Sequence, residues 1–303
     1  VSVQPGGEEK VHALIVRAPA WGPTEDAKAP GPRVVCMQDV QPEEPEWLWH
    51  PRIPLSQLTL LYGDGGAGKS HLCLKIAAAL SSSGALPGTD EPREAITSVV
   101  FTAEDRLGEV RRRLDTMDAD LRHIHACGDP FGLDGEGLAF VEAEIKSRQA
   151  KLAVIDPVVA FLGRDLDFYR ANETRSILAP LSELADRAGV AIVLVTHVTK
   201  GSAARAAHRA IGSGDFVNAA RSALLAGSDP DDDSRRALVH VKANLGPLAD
   251  PVGYSITDGL FAWKEETTLT AGQILGSGDI EGGEGRLQAE EFLLDVCQKE
   301  RKA

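Results

Sequence analysis

The sequence predicts an α/β fold: a mainly parallel, twisted sheet flanked by helices on both faces. Two observations carry that prediction. From position 58 onward, short apolar runs of strand length alternate with stretches of helical periodicity, the pattern of strands joined by crossover helices. The first of these runs also breaks at its end into GDGGAGKS (63–70) before an apolar helical pattern resumes, giving strand, glycine turn and helix in that order.

In chain order, residues 1–45 are rich in Pro, Gly and acids and carry short apolar pieces at VHALIV and RVVCM. They read as an irregular N-terminal arm with a strand or two. The core domain is expected over 46–264, beginning at WLWHPRIP. Its strand-like runs are LTLLYG (58–63), SVVFTA (98–103), LRHIHAC (121–127), KLAVIDP (151–157), VAIVLVTH (190–197), SALLAG (222–227) and ALVHVKAN (237–244). The first five read as buried parallel strands and the last two as a hairpin across SDPDDDSR. Helices fit at 69–82, 105–116, 137–149, 173–188 and 214–221. Residues 265–303 read as a polar, Gly-rich linker followed by one amphipathic helix, LQAEEFLLDVCQKERK.

Composition narrows the function classes. With 303 residues and 43% hydrophobic content, the chain can bury the core of one large domain or two small ones. No apolar run is long enough to span a bilayer, and VSVQPGGEEK lacks the basic start and apolar core of a signal peptide, so the expectation is a cytoplasmic protein with no membrane partner. The four cysteines are scattered without a Cys-x-x-Cys, which fits reduced thiols. A net charge of -13 argues against a surface coated for nucleic acid, although a local basic loop escapes such an average.

The chemistry-bearing residues sit at the expected strand ends. Gly63, Asp64, Gly65, Gly66, Ala67, Gly68, Lys69 and Ser70 match the phosphate-loop pattern in every fixed position, with His71 next on the helix. Glycines let backbone N–H groups surround a phosphate, and the helix N-terminus adds partial positive charge. Lys69 can then reach the β and γ oxygens while Ser70 ligates Mg²⁺. Asp156 ends a strand where a carboxylate would hold that metal from the other side, though an acid there can also cap the following helix. Glu104 is the preferred base for the attacking water, with Asp105 the alternative or simply a helix cap. Thr196 and His197 close a further strand, where His197 can sense the γ-phosphate.

Basic residues supply the remaining candidates. The segment TKGSAARAAHRAIGSGDF holds Lys200, Arg205, His208 and Arg209 with no acid before Asp215, which points to an anion such as a DNA backbone or to a solvated loop. Arg221 and Lys242 are charges that a neighbouring subunit could receive at its γ-phosphate, or ordinary surface residues. EVRRRLDTM reads as a solvated helix face, from which Arg112 or Arg113 could touch nucleotide. His123, His125 and Cys127 alternate on one strand face but lack a fourth ligand, so a zinc site is set aside.

Taken in order, GDGGAGKS, TAEDR, VIDP, VTHVTKG with IGSGDF, AARS and VKAN resemble the RecA-fold ATPases related to the hexameric plasmid replicative helicase RepA, over residues 47–263. The resemblance implies a RecA-like P-loop fold with ATP and Mg²⁺ as ligands. It implies Lys69 and Ser70 on the phosphates and metal, Glu104 as base, Asp156 on Mg²⁺ and His197 as sensor. It also implies Arg221 as an arginine finger toward the adjacent subunit, Lys242 as a second trans-acting cation, and the 200–214 loop on single-stranded DNA in a hexameric ring. The basic loop lacks aromatic stacking residues, and Phe168 and Tyr169 in VVAFLGRDLDFYRANETR are the candidates for that role. No guanine-specific Asn-Lys-x-Asp occurs, which favours ATP. The alternative is a RecA-fold ATPase serving as a nucleotide-dependent assembly or regulatory switch of a mobile element or defence system. A small-molecule kinase would need an acceptor pocket and lid that the sequence does not offer.

Overall fold

A computed structural model describes residues 34–89, 94–162, 171–197, 215–264 and 267–275. The chain divides into two compact units, Val1–Glu44 and Pro45–Ala303. In its described part the first unit holds a 3-10 turn at Met37–Asp39.

The second unit opens with a small ribbon of β1 (Trp47–Trp49) and β2 (Ile53–Pro54). Its strands β3 (Leu58–Gly63), β4 (Ser98–Thr102), β5 (Ile124–Cys127), β6 (Leu152–Asp156), β7 (Ala191–His197), β8 (Ser222–Asp229), β9 (Asp232–Ala243), β10 (Val252–Thr257) and β11 (Leu260–Lys264) form one sheet. The order across it is β11-β10-β9-β8-β3-β7-β6-β4-β5. From β5 to β8 all neighbours run parallel, and from β8 to β11 they alternate.

The described helices are α1 (Lys69–Ser81), α2 (Leu107–Asp115), α3 (Gly135–Ser147), α4 (Ala171–Ala188), α5 (Asp215–Ala219) and α6 (Ala271–Ile274). Because successive strand residues point to opposite faces, each central strand feeds two cores. Leu58, Leu60, Val99, Phe101, Ala153, Ile155, Ile192 and Leu194 pack with α3, α4 and α5. Leu61, Val100, Val154, Val193 and Val195 pack with α1 and α2 on the other side. Ala77, Ala78 and Ala79 on α1 are buried, and their small side chains let this helix lie close to the sheet that positions its N-terminus.

Four differences from the sequence reading have physical causes. β5 is half-exposed rather than buried, because it is the outer strand of the sheet and 121–123 form a 3-10 turn. β8 joins the parallel set through β3 while also forming the expected hairpin with β9. The hairpin β10–β11 is an addition, closed by Asp258 and Gly259 at φ 51° and 79°, the backbone that a two-residue Asp-Gly turn requires. Residues 267–275, expected within a linker, include α6, whose Thr270 and Gln273 form a reciprocal capping box. Leu269, Ile274 and Leu275 are buried in the first of the two cores. The C-terminal helix expected at 287–302 lies outside the described residues.

Candidate nucleotide site

Parallel register brings the strand ends together. Gly63 of β3 lies opposite His197 of β7, and Thr102 of β4 lies opposite Asp156 of β6. The loops that follow therefore share one edge of the sheet, where an open parallel sheet holds its ligands. They line a cleft of about 280 Å³ with Gly66, Gly68, Lys69, Ser70, His71, Glu104, Asp105, Arg113, Asp156, His197, Arg236 and Ile256 on its walls.

Glycine is required in two places of the phosphate loop. A Cβ on Gly63 would lie 1.9 Å from the Ala226 carbonyl oxygen of the adjacent strand. Gly68 has φ 84° and sits directly before α1, and its Cβ would lie 2.3 Å from Ile256 Cδ1. The loop can thus turn sharply into the helix and present N–H groups to the cleft. Asp64, Gly65 and Gly66 are exposed, whereas Ala67 is buried.

Lys69 is buried, and its Nζ donates to the carbonyls of Gly63 at 2.9 Å and Asp64 at 2.8 Å. Burial lowers its pKa, opposed first by Asp156. The ammonium also lies 3.3 Å from His197 Nδ1. With Lys69 as donor, Nδ1 accepts and the proton of the neutral ring resides on Nε2. Burial, then the charge of Lys69, holds the pKa of His197 below its ordinary range.

The carboxylates have distinct surroundings. Asp156 is buried and receives a hydrogen bond from Ser70, and desolvation lifts its pKa to about 6. It does not cap a following helix: the next 3-10 turn starts after Pro157. Ser70 hydroxyl and Asp156 carboxylate form a compact oxygen pair, a donor set suited to Mg²⁺. Asp105 is engaged by Arg113 in a two-pronged ion pair at 2.5 and 3.0 Å, and Arg106 rather than Asp105 occupies the cap position of α2. Glu104 is exposed at the mouth and, among the described residues, forms no ion pair, which leaves it the carboxylate free to face a reactant.

Arg221 and Lys242 are not brought to this cleft within the subunit. The Arg221 N–H donates to Leu58 O at the beginning of β3, about 17 Å along that strand from the loop. Lys242 lies beside it, opposite Ala223 in β8. The Lys242 ammonium donates to the carbonyls of Val217, Asn218 and Ala220 at 2.6, 3.1 and 2.8 Å and so closes the C-terminal end of α5. Lys200, Arg205, His208 and Arg209, like Phe168 and Tyr169, lie outside the described residues. His123 contacts Thr97 Oγ1 at 3.2 Å, and no metal-holding cluster of His, Cys, Asp and Glu occurs among the described residues.

Sequence reasoning missed the wall contributed by β9 and β10. Arg236 and Ile256 line the cleft, and the Tyr254 hydroxyl donates to Ala67 O at 2.5 Å. The Asp-Gly turn at 258–259 was the signal for that hairpin, whereas nothing in SRRALV distinguishes Arg236 from a surface arginine.

A family model described as an AAA domain matches residues 28–203, more than half of the chain and all four strands that end at the cleft. The chain belongs to this family. Beyond the matched stretch of the AAA domain lie Arg221, Arg236, Lys242, Tyr254 and Ile256. The DNA repair protein RadA of Mycobacterium tuberculosis is 29% identical over 150 residues, covering 48% of this chain and 28% of RadA. RadA of Bacillus subtilis is 26% identical over 146 residues, covering 47% and 28%. The chain therefore spans little more than a quarter of the length of these curated relatives. A KaiC-like protein of Pyrococcus horikoshii superposes with a TM-score of 0.52 at 18% identity, covering 70% of this chain and 91% of that one. The AAA domain thus has the RecA-like P-loop fold. No helix among its described residues is long and apolar enough to cross a membrane.

Proposed function

We propose that this AAA domain hydrolyses ATP and serves as the body, residues 46–264, of a RepA-like motor on single-stranded DNA, with ATP bound between the subunits of a six-fold ring. The observation that carries the ATPase reading is the convergence of Lys69, Ser70, Glu104, Asp156 and His197 from four strand ends on one cleft. The DNA reading draws on the kinship to DNA repair proteins and on the acid-free basic segment before Asp215.

The chemistry follows from these positions. Loop N–H groups and the start of α1 attract the triphosphate, and Lys69 lends its charge to the β and γ oxygens. Ser70 and Asp156 would hold Mg²⁺, which neutralises charge on those oxygens when bound. Glu104 orients a water and accepts its proton as the water oxygen bonds to the γ-phosphorus and the bond to the β–γ bridging oxygen breaks. ADP and phosphate result. His197, in contact with Lys69, registers loss of the γ-phosphate and passes the change to the segment that follows β7. Arg221, at the opposite end of β3 from the phosphate loop, would on this reading serve a neighbour's cleft.

ATP turnover measured with and without single-stranded DNA at low salt, alongside the mass of the assembly with nucleotide, tests this. We expect stimulation by DNA and a ring-sized mass. Turnover indifferent to DNA would overturn the motor and leave the nucleotide-switch reading, and no turnover at all would overturn both. Arg221→Ala should abolish hydrolysis while retaining nucleotide binding.

A further inference from the structure

We propose that Arg236 is the subunit's own cation for the inner phosphates of the nucleotide, clamping the α- and β-phosphates from the β9 wall. The inference rests on the nucleotide reading of the cleft given above.

Pleating separates two adjacent arginines. Arg235 pairs with Asp229 at 3.1 Å, while the next residue along β9 lines the cleft beside Gly66, Gly68, His71 and Ile256. Among the described residues Arg236 forms no ion pair. Its Nη1 reaches the Ile256 carbonyl only at 3.5 Å, and its Nε is buried without a partner. A guanidinium that lines a cleft and has no carboxylate to meet it suits an anionic ligand. It is also held in place, because its backbone pairs with Ser228 of β8 on one side and Tyr254 of β10 on the other. A cation fixed in advance binds without the cost of ordering a loop.

Position within the cleft selects the inner phosphates. Arg236 pairs across strands with Tyr254, whose hydroxyl bonds the Ala67 carbonyl, and its Nη1 faces the carbonyl of Ile256, whose side chain lies against Gly68 at the start of α1. The Lys69 ammonium and His197, the pair assigned to the γ end, sit instead beside the first residues of the loop, where Lys69 Nζ donates to the Gly63 and Asp64 carbonyls. Arg236 and the Lys69–His197 pair therefore occupy different ends of one cleft.

Equilibrium binding of ATP and ADP, and displacement of labelled ADP by inorganic pyrophosphate, test this on the full chain with Arg236→Ala, Arg236→Lys and Arg236→Gln. We expect Arg236→Ala to weaken ATP, ADP and pyrophosphate alike by about tenfold, as for one charge-assisted contact. KM for ATP should rise by a similar factor with kcat within about twofold, and lysine should recover part of the loss that glutamine does not. Unchanged ADP affinity in all three variants overturns the proposal and leaves the ATPase reading intact. Weaker ADP with unchanged pyrophosphate also overturns it, by moving Arg236 to the nucleoside. Failure of the unaltered chain to bind any of the three overturns the nucleotide reading itself.

Discussion

The phenol of Tyr254 donates a 2.5 Å hydrogen bond to the carbonyl oxygen of Ala67, joining β10 to the phosphate loop across 187 positions of sequence. Both residues are buried, and burial drives the phenol well above its ordinary pKa. Tyr254 also stacks on Phe261 and meets Trp263 edge-on, so the bond is backed by a packed aromatic group. Tyr254→Phe keeps that packing and removes only the donor. The stranded Ala67 carbonyl should cost about 1–2 kcal/mol in urea unfolding, and ADP affinity should fall several-fold. Wild-type ADP affinity in the variant would show that the loop holds its shape without the brace.

Glu104 and Asp105 should separate cleanly. Glu104→Gln should lower ATP turnover by about a hundredfold or more with ATP binding retained, since it removes a proton acceptor and nothing structural. Asp105→Asn breaks the pair with Arg113, so its main effect should be on affinity and stability rather than on the chemical step. Single-turnover hydrolysis at saturating ATP reads the difference, and equal losses in both variants would reverse the assignment of the base.

Gly68→Ala should be among the most damaging small changes. A left-handed φ costs an alanine about 1–2 kcal/mol, and the new methyl meets Ile256 Cδ1. Ile256→Val removes that atom, so the double variant should recover part of the stability lost by Gly68→Ala but not the part due to backbone conformation. Strictly additive unfolding energies would count against the steric component.

His240 predicts a stability change below neutral pH. Its Nε2 is 3.0 Å from Ser222 Oγ, which donates to Arg52 O, and its Nδ1 accepts the Ala249 N–H at 3.1 Å. Protonation would set two donors against each other at Nδ1. Burial first, and then the charge of Arg52, depress the pKa to about 4. Between about 6.5 and 4 the unfolded chain binds a proton that the folded one refuses, so stability falls as pH falls through that window. Between pH 7 and pH 5 the loss should be about 2 kcal/mol. In His240→Gln this component should vanish, which urea titrations at pH 7 and pH 5 would check.

The strand ends were legible because each joins a β-branched run to a polar residue, and the phosphate loop because its glycines have a fixed spacing. Asp156 and His197 could be placed without coordinates since parallel pairing aligns like ends. Arg236 could not, because its register depends on β10, whose VGYSIT lacks a strong apolar alternation. The 267–275 segment was misjudged for a different reason. Averaged polarity outweighed Thr270 and Gln273, although their three-residue spacing is a helix-start signature. Lys242 looked free in sequence, and only the nearby end of α5 reveals what its ammonium holds.

Gly63, Thr102, Asp156 and His197 sit side by side at the carboxyl edge of the sheet, yet helices and loops separate each from the next along the chain. No local stretch of the protein contains the cleft. A ligand bound there is therefore linked to global unfolding rather than to the fraying of one loop. At a hundred times its Kd, such a ligand would raise the unfolding free energy by about 2.7 kcal/mol. Amide exchange should slow through the buried central strands, and a version truncated before Val252 would give up Arg236's partner strand and the Tyr254 brace together.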